Sequence, residues 1–113
     1  MAETAPYSAI MSAGTTYRGD MRYEGRVRID GTFIGSLYSD EDLELGEEGR
    51  IEGDVDVAGA MIAGQVHGTL RVREHLRLMP SASINGKLDA GIVELLPGAS
   101  LRGEVRIRGE SLP

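Results

Sequence analysis

Two histidines and a run of carboxylates are the side chains here whose types suit chemistry. His67 and His75 are the only histidines. One imidazole could serve as the general base of acyl transfer, and three could hold a zinc ion. The chain lacks a third, and His67 stands at an outward position beside Gly68. Residues 38–56 carry nine carboxylates against a single basic residue, Arg50. That density suggests a divalent cation, but Asp40-Glu41-Asp42 lacks the ligand spacing and turn glycine of a calcium loop. The run reads instead as a solvated face, with Asp40, Glu41, Asp42, Glu47 and Glu48 as a candidate docking patch for a basic partner. Gly86-Lys87 is followed by Leu88, so it is no phosphate-binding loop. Arg18-Gly19-Asp20 spells a cell-adhesion tripeptide but falls inside a repeating element. No catalytic residue, cofactor or metal is expected.

Composition narrows the classes further. The 113 residues suit one domain. A net charge of -6 argues against general nucleic-acid binding, which needs a basic surface to displace phosphate counterions. There is no cysteine for a disulfide framework. No run of 18 apolar residues would span a membrane, and Met1-Ala2-Glu3-Thr4 lacks the basic start of a secretory signal, so a cytoplasmic location is expected. Sixteen glycines accompany one Phe and no Trp. A core of Val, Ile, Leu, Met and Ala suits thin stacked layers rather than one bulky centre.

The elements that carry these residues repeat. An apolar-x-Gly-x-apolar unit occurs six times: Tyr17 to Met21, Phe33 to Leu37, Ile51 to Val55, Val66 to Leu70, Ile84 to Leu88 and Leu101 to Val105. Their glycines are 16, 18, 15, 18 and 17 residues apart. Before each copy after the first comes a second element with period 2, as in Val27-x-Ile29, Leu43-x-Leu45 and Leu76-x-Leu78. Strict alternation places one side chain in and the next out. Gly, Pro80-Ser81 and Pro97-Gly98 punctuate the runs as turns. Short strands recurring at about 17 residues make one turn of a β-solenoid, whose stacked coils share one apolar column. Six coils at ~4.8 Å each give a rod roughly 29 Å long. The central glycine of each unit marks a bend between faces. Outward positions mostly alternate in charge from copy to copy, as at Asp56, Arg71, Asp89 and Arg106, which supports in-register stacking.

These residues resemble the bactofilin family. Ile29-Asp-Gly-Thr-Phe33-Ile-Gly35 is similar to its signature, Leu43 to Val55 to its following repeat, and Pro97-Gly98-Ala-Ser-Leu101-Arg-Gly103 to its final repeat. Leu101 departs from the Phe frequent there. The resemblance spans roughly residues 14 to 108. It implies an all-β fold, a right-handed parallel β-helix of about six coils. It also implies a bacterial cytoskeletal scaffold whose filaments assemble without nucleotide, lack polarity and recruit cell-shape, polarity or chromosome-segregation factors.

The expected organisation is a flexible tail over residues 1–14, the β-helix over 15–108, and a short tail over 109–113. A solenoid without polar caps exposes strand edges and core at both ends. Tyr17, Met21 and Tyr23 at one end, with Leu101, Val105 and Ile107 at the other, are therefore the expected self-association surfaces. Tyr7, Ile10 and Met11 form a candidate membrane contact that many copies in a filament would reinforce. Alternatively, those three fold back as a plug and leave a capped monomeric binding module. A trimeric β-helix acyltransferase is the enzymatic alternative, although the glycine spacing breaks the hexapeptide period of such enzymes.

Overall fold

The structure is a computed structural model, and it describes residues 9–109. Nine strands, all paired in parallel, make up the fold, with no helix among the described residues. They are β1 (Ala9–Met11), β2 (Thr16–Tyr23), β3 (Val27–Ile29), β4 (Thr32–Ser39), β5 (Asp42–Leu45), β6 (Arg50–Ile62), β7 (Gln65–Leu78), β8 (Ser83–Leu95) and β9 (Ser100–Ile107). The chain coils so that each rung pairs with the rung one repeat away, which is a β-solenoid. Two ladders result. One runs through β2, β4, the first part of β6, β7 and β8, and β9. The other runs through β1, β3, β5 and the last part of β6, β7 and β8.

The six glycines align in register, from Gly19 on Gly35 to Gly86 on Gly103. All six have φ between 117° and 139°, a conformation that bends the strand and that side chains disfavour. A Cβ on Gly53 would also lie 2.0 Å from the carbonyl oxygen of Gly35. Both constraints hold for each of the five later glycines, so the ladder admits no side chain there. Turns close the coils: Gly49 N–H donates to Gly46 O, Ala82 to Met79 O and Ala99 to Leu96 O.

Each rung but the last sends five side chains inward. In the fourth these are Val66, Leu70, Val72, Leu76 and Leu78, all fully buried. Stacking continues each position into a column, such as Phe33, Ile51, Val66 and Ile84. Outward charges pair along the axis: Arg28 with Glu44 at 2.8 Å and Arg77 with Glu94 at 3.3 Å. One difference from the alternation in the sequence concerns Asp56. Its partner is Arg73, at 3.1 Å, rather than the in-register Arg71. Arg73 sits where the register shifts between Val72 and His75, so its side chain leaves the strand row and reaches back across coils. It also bonds Asp40 at 2.8 Å and the Ser39 carbonyl.

The first strand begins at Ala9, inside the segment expected to be a tail. Ala9-x-Met11 has the spacing of Val27-x-Ile29 and pairs with it in register, so the solenoid starts before residue 15.

Candidate assembly ends

The inward columns stop at two terminal rungs. At the N-terminal end, Tyr17 continues the Phe33 column, Met21 the Leu37 column and Tyr23 the Ser39 column. Tyr17 stacks on Phe33 with ring centroids 5.2 Å apart and planes 10° apart. Its other face has no rung above it among the described residues, and the side chain is 38% exposed. Met21 and Tyr23 are half-buried against the core. The Tyr23 hydroxyl donates to the Asp42 carbonyl at 3.1 Å. Burial pushes that phenol up to about 12; a hydrogen bond with Ser39 opposes the rise, and the charges of Asp42 and Glu41 add to it.

At the C-terminal end, β9 pairs with β8 on one edge, and no strand covers its other edge among the described residues. Leu101 is half-buried, Val105 is 41% exposed and Ile107 50%. Two further side chains join this surface that the sequence reading did not place there. Leu95 ends the column of Leu45, Ile62 and Leu78 and is 54% exposed; Ile92 lies on the outward side of the same rung. The pattern Val93-x-Leu95 marks these residues as a strand. Only the coil count shows that, among the described residues, nothing follows them in that ladder. Tyr17, Ile92, Leu95, Val105 and Ile107 are the exposed large hydrophobic residues among those described, and every one lies on a strand that ends one of the two ladders. Aliphatic side chains with an open strand edge are the composition of a surface that takes another strand.

The remaining candidates scatter. The acidic run divides between opposite ends of β5: Asp40, Glu41 and Asp42 lie at one corner, Glu47 and Glu48 in the turn at the other. Asp40 is bound by Arg73, whose hydrogen bond, with one from Tyr38, holds its carboxyl below the ordinary range. Asp42 lies 3.8 Å from Arg26. Glu41, Glu47 and Glu48 are exposed. No group of three metal-ligating side chains converges among the described residues. His67 stacks between Glu52 and Asn85, whereas His75 belongs to the other ladder, 3.9 Å from Glu94. Of the candidate membrane contact, Tyr7 lies outside the described residues, as does the side chain of Ile10. Met11 is half-buried against the core because it continues the Ile29 column. No helix among the described residues is long and apolar enough to cross a membrane.

The model of the bactofilin family, described as polymer-forming cytoskeletal, matches residues 9–106. The chain is similar to bactofilin BacO of Myxococcus xanthus (strain DK1622), 24% identical over 98 residues that span 87% of this chain and 78% of that protein. No solved structure matches it.

Proposed function

Since this chain belongs to the bactofilin family, we propose that it is a non-catalytic cytoplasmic scaffold that stacks end to end into filaments without nucleotide. The observation that carries this reading is the confinement of exposed large hydrophobic side chains to the strands that end the two ladders. Burying an apolar side chain contributes about 25 cal/mol per Å² removed from water, and the two open edges supply backbone donors and acceptors for strand addition. Contact between like ends makes each junction two-fold and the filament non-polar. Side faces and tails then recruit cell-shape, polarity or segregation factors, with exposed Glu41, Glu47 and Glu48 offered to basic partners. A membrane surface is a further partner of the N-terminal segment that contains Tyr7, through many weak contacts along one filament.

Val105→Arg and Ile107→Arg test the assignment of the ends. Each places a charge on an already exposed position of the last rung. The folded coil should persist by circular dichroism while long filaments disappear from electron micrographs. Variants that fold and still form long filaments would show that the C-terminal end is not a junction.

A further inference from the structure

The outward charges of the terminal rungs differ in arrangement from those between them. Consider the outward positions one before, one after and three after each ladder glycine. Across the six rungs they make fifteen stacked junctions, and none sets like charge on like. Four set a cation on an anion: Asp56 on Arg71, Arg71 on Asp89, Asp89 on Arg106 and Lys87 on Glu104. Continuing the same register into a second molecule, tail to head, reverses this rule. Arg102 would meet Arg18, Glu104 would meet Asp20, and Arg106 would meet Arg22. Directly opposed like charges on neighbouring strands are unfavourable.

The two terminal rungs also share a feature absent from the four inner ones. They read Arg18-Gly19-Asp20 and Arg102-Gly103-Glu104, with a cation before the glycine and an acid after it. The inner rungs read Ile34-Gly-Ser36, Glu52-Gly-Asp54, His67-Gly-Thr69 and Asn85-Gly-Lys87. Arg18, Asp20, Arg102 and Glu104 are all exposed, and none makes an ion pair among the described residues. A two-fold axis through the glycine runs the partner strand antiparallel, so that each arginine meets the partner's acid, giving two such pairs per junction. The same axis sets Leu101 opposite Val105 at one end and Tyr17 opposite Met21 at the other, apolar on apolar.

We infer that the Arg-Gly-acid triplets at the two terminal rungs register each end against the same end of a second copy of this chain. This rests on the filament reading above and specifies its contacts. The triplet supplies specificity rather than most of the affinity: the apolar cross-section attracts either kind of end, while the charges match one and oppose the other.

Charge reversal at one end separates the two geometries. R102E puts acids on both sides of Gly103, and E104R puts arginines on both sides. Each variant mismatches itself across the two-fold axis, and the two match each other. Assembly of the full chain would be followed by sedimentation and electron microscopy in low salt. Each variant alone should need several-fold more protein to assemble than wild type, on the order of three to ten times. An equimolar mixture should return to within about twofold of wild type, and the differences should shrink as salt screens the charges. Tail-to-head stacking gives the opposite sign, because each variant relieves a like-charge contact and assembles at lower concentration. That result, or no change in either variant, overturns the inference while leaving filaments in place. A wild-type protein that fails to assemble in the same series removes the filament reading itself.

Discussion

The fourth and sixth rungs carry nearly the same inward residues in opposite surroundings. Val66, Leu70, Val72, Leu76 and Leu78 are sealed from water; in the last rung Val105 and Ile107, with Leu95 from the last part of β8, are close to half exposed. Residue type does not explain the difference, since both sets are branched aliphatic residues. What differs is a neighbour on the second side. A column position is buried only between two rungs, so among the described residues the two ends of the coil are core lacking a layer. The two ends also differ from each other. The C-terminal rung is aliphatic, whereas the N-terminal rung is capped by aromatics whose hydroxyls already bond to the chain's own carbonyls, Tyr17 to Asp20 O and Tyr23 to Asp42 O.

The glycine ladder offers the sharpest way to break that comparison. Gly53→Ala combines positive φ with a Cβ 2.0 Å from the Gly35 oxygen. It should lose about 3 kcal/mol or more of folding stability in denaturant titration. Gly19→Ala has a similar φ of 136° but open space, with its nearest neighbour the Tyr17 ring at 3.7 Å. Its folding cost should be only about 1–2 kcal/mol. Yet that Cβ points to where a neighbouring rung would lie, so end contact should suffer more than folding. Equal folding losses at the two sites would contradict the distinction between inner and terminal rungs.

Truncation in one inward column is the next test. Leu70→Ala should destabilise the coil by about 2–5 kcal/mol, because it opens a cavity in a fully buried stack. Val105→Ala, at the end of that column, should cost the dilute monomer less than about 1 kcal/mol, since its side chain is already 41% exposed. Urea unfolding below the assembly threshold reads both.

Tyr23 gives the smallest effect. Its pKa is raised in the folded coil to about 12 from 10. The unfolded chain therefore ionises first. The contribution of Tyr23 is whole below pH 10 and is lost as pH rises from 10 to 12. Phenolate absorbance and unfolding followed over that range should show the first coil loosening, and Tyr23→Phe should remove the Tyr23 part of the pH dependence.

Much of this architecture is legible in the residues, for identifiable reasons. The ladder glycines stand out because a bent strand under a neighbouring backbone tolerates nothing else, and alternation marks the inward columns. Less visible is what depends on counting coils or on three dimensions. Ala9-x-Met11 lacks a preceding glycine unit to announce it, so the first rung of its ladder passes for a tail. Leu95 looks like any inward residue until its ladder ends there. Asp40 and Glu47 are close in sequence but separated by β5. The reach of Arg73 across coils follows from a register shift that no local pattern announces.

The central claim is that the exposed end rungs complete one another. Its most direct test is negative-stain electron microscopy of the purified chain with no nucleotide added, across protein concentration and salt. Thin unbranched filaments that lengthen with concentration are the expected result. Uniform small particles at every concentration would contradict the account, because end rungs that stay unpaired at high concentration are not junctions.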